Sequence, residues 1–339
     1  MYVQTVNGQV APESLGVTLA HEHLIIDFRR GWIEPPAGFA YLAHAEITSE
    51  TAQELRRNPQ YSQPNLQLDD GQVAVAELNK FRALGGNTIV DLTSSGLGPE
   101  PLKLRSISLD TGVNIVAGCG YYRHMTQSLA VLSMKSEQLV DEIIRSLQVG
   151  IGPTDVRAGI IGEVGASAPL HPFERESLIA ASKAQRQTGV AINIHPDIWG
   201  FGHLDVLDIL EAAGADLHRT VVSHMDEVSD TGWHCKIAER GVYLSFDTFG
   251  SEFSYGGIEE PRDSDRIICL LALLERGYVD RLLLSQDICY KMGLEKYGGH
   301  GYSHILLNIV PHLRKVGVSE LELHKMLVEN PRKILSISS

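Results

Sequence analysis

The sequence predicts an α/β chain folded as a (β/α)8 TIM barrel, with a binuclear metal site at the C-terminal ends of the strands. Three observations carry this reading: short Val- and Ile-rich runs of strand length, helix-periodic stretches between them, and histidines or acids closing several of the runs.

The first run, Leu15-Gly16-Val17-Thr18-Leu19-Ala20, ends in His21-Glu22-His23. Side chains alternate faces along a strand, so His21 and His23 point one way, roughly 7 Å apart, and Glu22 points the other. Seven more runs follow, at 87–92, 113–117, 159–163, 190–195, 220–224, 242–247 and 281–287. They are apolar without regular alternation, the pattern of parallel strands buried on both faces. Helical periodicity fills 73–84, 136–148, 174–188, 206–213 and 264–277 between them. Eight alternations favour a closed barrel over a doubly wound sheet. The first crossover differs. Residues 28–70 contain Pro35-Pro36, Pro59 and Pro64, and read as a long excursion with short helices beside the catalytic mouth. No linker or repeat interrupts the remainder, so residues 1–339 are expected to form a single domain. In the tail, 319–339, helical turns end the fold and Asn330-Pro331 predicts a break and restart.

Composition narrows the function. A hydrophobic share of 43% supports a large core, and no apolar run approaches the roughly 18 residues that cross a bilayer. The start, Met1 to Gly8, lacks the basic and apolar regions of a secretory signal, and the four cysteines show no CxxC spacing. The expectation is a cytoplasmic protein with reduced thiols, of which Cys119 and Cys289 follow strands and can line a pocket. A net charge of −13 argues against a nucleic-acid surface, because phosphate binding needs clustered Lys and Arg. Some of the acids are available to metals instead.

The run ends carry His21, His23, Glu163, His195, His224 and Asp287. A barrel gathers the carboxyl ends of its strands at one mouth, so these residues from five strands converge. Any one of them alone reads equally well as a hydrogen-bonded core histidine or a helix-capping acid. Together, four imidazoles and two carboxylates suit a pair of divalent ions, zinc first, with manganese, cobalt or iron as alternatives. The arrangement that uses them best gives His21, His23 and Asp287 to one ion, His195 and His224 to the other, and Glu163 to both. Two ions about 3.5–4 Å apart share a hydroxide nucleophile and polarise a substrate oxygen. Asp287 then serves as proton acceptor and later as donor to the leaving group.

Candidate substrate contacts lie in the loops that follow. Cys119-Gly120-Tyr121-Tyr122-Arg123-His124 places Tyr122 and Arg123 over the metals, and the loop after the eighth run offers Lys291 and His300. Ordinary loop packing is the competing reading for each. Asp247 can orient a ligand or cap Thr248. The cations favour a small substrate with an anionic end beside a hydrolysable amide, ester or lactone.

Four segments have a more specific character: Gly16-Val17-Thr18-Leu19-Ala20-His21-Glu22-His23, Gly159-Ile160-Ile161-Gly162-Glu163-Val164-Gly165, Tyr297-Gly298-Gly299-His300-Gly301-Tyr302 and Leu327-Val328-Glu329-Asn330-Pro331. With the ordered ligand set, they give a chain that resembles the phosphotriesterase-like family of the amidohydrolase superfamily, and most closely its phosphotriesterase-related branch. The resemblance covers nearly the whole chain. It implies a barrel with a binuclear metal centre, carried here by His21, His23, Glu163, His195, His224 and Asp287, and it is compatible with a homodimer. Founding members bridge the ions with a carboxylated lysine, where this chain has Glu163, so assembly should not need carbon dioxide. The branch includes enzymes of N-acylated amino compounds and of lactones. N-acyl amide hydrolysis is therefore the leading expectation, a lactonase or carboxylesterase with at most side activity on phosphotriesters the second, and a non-catalytic metal-containing binding protein the third.

Overall fold

The computed structural model describes residues 1–338 except Ile198 and Gly200. Eight strands form one parallel sheet: β1 (Val17–Glu22), β2 (Gly86–Asp91), β3 (Asn114–Cys119), β4 (Ile160–Gly165), β5 (Ile192–His195), β6 (Thr220–Val222), β7 (Tyr243–Phe246) and β8 (Leu282–Leu284). Each pairs with its neighbour in chain order. Strands β1 and β8 are joined without a ladder: the His21 N–H donates to Ser285 Oγ at 3.0 Å, and the Asp287 N–H to the His21 carbonyl at 3.2 Å. The seam of the barrel thus closes on residues of the predicted site.

The uninterrupted apolar runs are explained by burial on both faces. Ala20, Val90, Val116, Ile160, Val221 and Leu283 pack into one cluster with Leu15 and Leu335. Their chain neighbours Leu19, Ile89, Ile115, Ile161, Val222 and Leu284 join a larger cluster with the surrounding helices. Those helices follow the predicted periodicity at Gly71–Ala83, Ser136–Gln148, Pro172–Thr188, His203–Ala212 and Asp263–Glu275, with further ones at Pro101–Thr111 and Thr231–Ala238. Their ends are chemically marked. Asp70 accepts from the N–H groups of Gln72 and Val73 at one N-terminus, and Pro172 begins a helix that left-handed Gly189 ends.

Two ligand-bearing strands depart from regular pairing. Leu19 and Glu22 of β1 face Ile89 and Asp91 of β2, and Ile161 and Val164 of β4 face Ile192 and Ile194 of β5. In each case one extra residue is inserted, a bulge that re-aims side chains at a barrel rim. The excursion after β1 holds the expected short helices, including Ser49–Leu55, and an antiparallel pair, Ile26–Asp27 with Gln67–Leu68, closes its base.

The tail departs from expectation. Asn330 has helical φ and ψ (−66°, −47°), so Asn330-Pro331 is not a break, and the chain stays helical from Glu320 to Leu335. Proline lacks an N–H and crowds the carbonyl four residues back, and a five-residue π turn, Lys325–Glu329, precedes it and relieves both demands. The Asn330 amide then donates to the carbonyls of Val279 and Leu282, tying the tail to β8.

Packing between β3 and β4 leaves no room at Gly118, where a Cβ would fall inside contact distance of the Gly162 carbonyl oxygen. Gly118→Ala is expected to cost about 1–3 kcal/mol of stability. Urea unfolding checks this, and an unchanged midpoint would mean that the two backbones can separate freely.

Candidate metal centre

The six sequence-predicted ligands converge. Glu163 lies between two groups of imidazoles, with Oε1 towards His23 and Oε2 towards the other three. Its Oε1 is 3.5 Å from His23 Nε2, and its Oε2 is 2.9 Å from His195 Nδ1 and 3.7 Å from the Nε2 atoms of His224 and His21. Asp287 Oδ1 is 3.1 Å from His23 Nε2 and 3.5 Å from His21 Nε2. His195 Nδ1 and His224 Nε2 meet at 2.7 Å. Two sets of three donors satisfy the spacing of a metal site around Glu163: His21, His23 and Glu163, and Glu163, His195 and His224. The pairing of His21 with His23 and of His195 with His224 about Glu163 follows the expected division, while Asp287 belongs to neither set.

Each imidazole turns its other nitrogen to a partner that fixes the ring, the usual arrangement of metal-binding histidines. Asp247 links two of them: Oδ2 is 2.9 Å from His21 Nδ1, and Oδ1 is 3.0 Å from His224 Nδ1. Thr93 Oγ1 is 2.9 Å from His23 Nδ1, and the Tyr122 hydroxyl is 3.2 Å from His195 Nε2. Asp247 takes neither role that sequence leaves open: its oxygens are directed at the histidines rather than at the mouth, and the Thr248 N–H is held by Asp226.

The backbone is bent to deliver these groups. His224 and Asp287 lie just past the ends of β6 and β8 with φ of 59° and 48°, a conformation that side chains other than glycine seldom adopt and that clusters at functional sites. Glu22 holds the second of these turns. Its buried carboxylate accepts from Ser285 Oγ at 2.7 Å and from the N–H groups of Gln286 and Ile288 at 2.8 and 3.0 Å, on either side of Asp287.

Electrostatics test whether the donors suit cations. Burial pulls the imidazoles of His21 and His224 down, but Asp287, Asp247 and Glu163 around the first, and chiefly Asp247 around the second, drive both well above the ordinary value. Burial likewise works against His23, but the neighbouring carboxylates of Asp287 and Glu163 raise it to about 9. Burial alone would raise Glu163, but His195 and His21 hold it far below the ordinary range. Three carboxylates thus share one buried pocket that demands positive charge. Within it His21 Nε2 and Asp287 Oδ1 are buried with no hydrogen-bond partner among the described residues. Unpartnered buried polar atoms are costly in a native protein, and a divalent cation satisfies both. The residues fit a metal centre.

The cluster forms one wall of a cavity of about 440 Å³, lined by Tyr122, Arg123, Asp197, Glu227, Cys289 and an apolar and aromatic rim of Ile26, Phe28, Leu97, Trp199, Tyr255 and Tyr290. Tyr122 and Arg123 are therefore where sequence places them. The other two candidates are elsewhere. Lys291 pairs with Asp69 at 3.2 Å, and His300 stacks on His304 with ring centroids 4.1 Å apart, facing a neighbouring cavity of about 480 Å³ that shares Asp287. The loop after β8 turns too sharply at Asp287 for strand direction to predict its later residues. Trp199, Glu227 and Tyr255 line the site without any local sequence signal. A larger cavity of about 1110 Å³, lined by Cys119, contains none of the six ligands.

Comparison with known proteins agrees with this geometry. The phosphotriesterase family profile matches residues 1–335. The N-acetyltaurine hydrolase of Dictyostelium discoideum is 36% identical over 361 residues, covering 99% of this chain and 98% of that protein. A resiniferatoxin-binding protein from Rhodobacter sphaeroides superposes with a TM-score of 0.97 at 39% identity, covering 99% of this chain and 95% of that one. The phosphotriesterase homology protein from Escherichia coli gives 0.81 at 30% identity, covering 95% and 99%. This chain is a metal-dependent hydrolase barrel that belongs to the phosphotriesterase family.

Proposed function

We propose that the protein hydrolyses N-acyl amides of small amines that carry an anionic group, with two divalent cations, zinc first, held by His21, His23, Asp287, His195, His224 and Glu163. The observation that carries the reading is the juxtaposition of this donor cluster with Arg123 in one cavity. The Arg123 Nε is buried without a hydrogen-bond partner among the described residues. A guanidinium so placed is suited to a carboxylate or sulfonate. That relatives are named N-acetyltaurine hydrolase supports the same class, since N-acetyltaurine joins an acetamide to a sulfonate.

The bound cations would supply Lewis acidity, polarising the acyl oxygen and lowering the pKa of water towards neutrality. The protein's own groups do the rest. Asp287, within 3.5 Å of His21 and His23, takes the proton of the attacking water and returns it to the nitrogen as the C–N bond breaks. The products are a carboxylate and an amine. Arg123 holds the anionic end, and the aromatic rim excludes water around the scissile bond.

Three measurements test this. Zinc-loaded protein is expected to turn over N-acetyltaurine and related amides with higher kcat/KM than lactones, carboxylic esters or phosphotriesters. Exclusive turnover of lactones would reject the amidase reading, and two bound metals with no turnover would favour a binding protein. Asp287→Asn should lower kcat by about 10²–10⁴-fold. Asp247→Asn should weaken metal binding about 10–100-fold, read by competition with a chelator, and an unchanged affinity would remove Asp247 from its orienting role.

A further inference from the structure

The segment Tyr122-Arg123-His124 is held far more firmly than a surface loop needs to be, and the holding residue is Glu174, on the next crossover helix. Its fully buried carboxylate gathers donors from two loops. Oε1 accepts from the N–H and Nδ1 of His124, both at 2.9 Å, and Oε2 accepts from the N–H and Oγ of Ser167 at 2.9 and 2.5 Å and from the His171 N–H at 3.2 Å. Burial alone would raise this carboxyl, but the hydrogen bonds from Ser167 and His124 bring it below the ordinary value, so it stays ionised. The rings of His124 and His171 stack at 4.0 Å, almost parallel, and lock the two loops together.

An independent feature constrains the same segment from beneath. Gly165 ends β4 directly under Arg123, and a Cβ there would fall inside contact distance of the Arg123 backbone nitrogen and 2.7 Å from its Cγ. The aliphatic stem of Arg123 thus rests on a bare backbone. On its other side the Arg123 carbonyl accepts from the N–H and Oγ1 of Thr126 at 3.1 and 2.9 Å. Backbone on both sides of Arg123 is therefore fixed, and its stem is seated, while its Nε is left without a partner. A cation held rigidly in a cavity loses little entropy when it pairs with an anion.

We propose that Glu174, acting with Gly165, is the positioning residue for Arg123, and that this clamp sets the enzyme's preference for amides with an anionic leaving amine. The inference rests on the anionic N-acyl amide reading above. Glu174 does not touch the substrate. It fixes the His124 end of the loop, and through that loop the distance between the guanidinium and the metal-side carboxylates.

Steady-state kinetics with a matched pair, N-acetyltaurine and neutral N-acetylpropylamine, test the clamp. A glutamine at 174 keeps shape but turns an amide N–H2 towards one set of donors. Glu174→Gln is expected to raise KM for N-acetyltaurine roughly tenfold or more, change kcat by less than about twofold, and leave the neutral amide unaffected. Gly165→Ala should give the same split, Arg123→Met a larger one, and Glu174→Asp a partial return. Equal losses on both amides, or a lower melting temperature with an unchanged KM ratio, would overturn the proposal by making Glu174 merely structural. If wild-type protein turns over neither amide, the amidase reading fails separately. The clamp is then judged by calorimetric binding of N-acetyltaurine and N-acetylpropylamine: loss of the charge preference in both Glu174→Gln and Arg123→Met supports it, and retention in Glu174→Gln overturns it.

Discussion

The mouth of this barrel depends on buried carboxylates that accept backbone amides. Glu22 fixes the turn through Asp287, Asp91 accepts the Leu24 and Thr93 N–H groups, Asp226 those of Asp247 and Thr248, and Glu174 those of three residues on two loops. A loop over a barrel rim has no ladder to satisfy its N–H groups, and an unpaired one costs about as much as a lost hydrogen bond. A carboxylate in a dry site has the complementary need. Each acid therefore pins a loop, and each loop keeps an acid charged or hydrogen-bonded.

The same economy of charge organises the metal centre. Asp247 joins the rings of His21 and His224, and its own N–H is held by Asp226, which lies 3.3 Å from buried Arg266. Arg266 in turn faces Asp263 and Glu260. A chain of buried charged groups thus runs from the histidines of the cluster to the outer helix, with the acids Asp247 and Asp226 adjacent and Arg266 compensating the second. Such a network is costly to break at one member, because the partner is left buried and uncompensated. The imidazoles are held in place by structure remote from any substrate.

Much of this was legible in sequence, for a geometric reason. Parallel strands with both faces buried leave plain apolar runs, and a barrel brings their carboxyl ends together, so the convergence of His21, His23, Glu163, His195, His224 and Asp287 was legible from residue type and position. What escaped was whatever depends on irregular backbone or on distant partners. The runs predicted to end in His224 and Asp287 stop earlier, at Val222 and Leu284, because both residues sit in left-handed turns. The bulges in β1 and β4 follow from pairing register, which no single run reveals. Lys291 and His300 looked like substrate contacts because their loop follows β8, yet Asp69 and His304 claim them. Glu174 only opens the helical stretch 174–188 in sequence, and its partner His124 lies 50 residues away.

The seam between β1 and β8 has a consequence for folding. The His21 N–H and Ser285 Oγ that meet there are 264 residues apart in the chain, so this junction carries nearly the largest loop-closure cost available to the protein. With no ladder to hold it, the seam relies on Glu22 and on the groups of the metal centre, which draw ligands from both of its sides. Cations held between His21 or His23 on one side and Asp287 on the other would recognise only the closed barrel and so add their binding free energy to its stability. The candidate centre would in that sense also be the clasp of the fold.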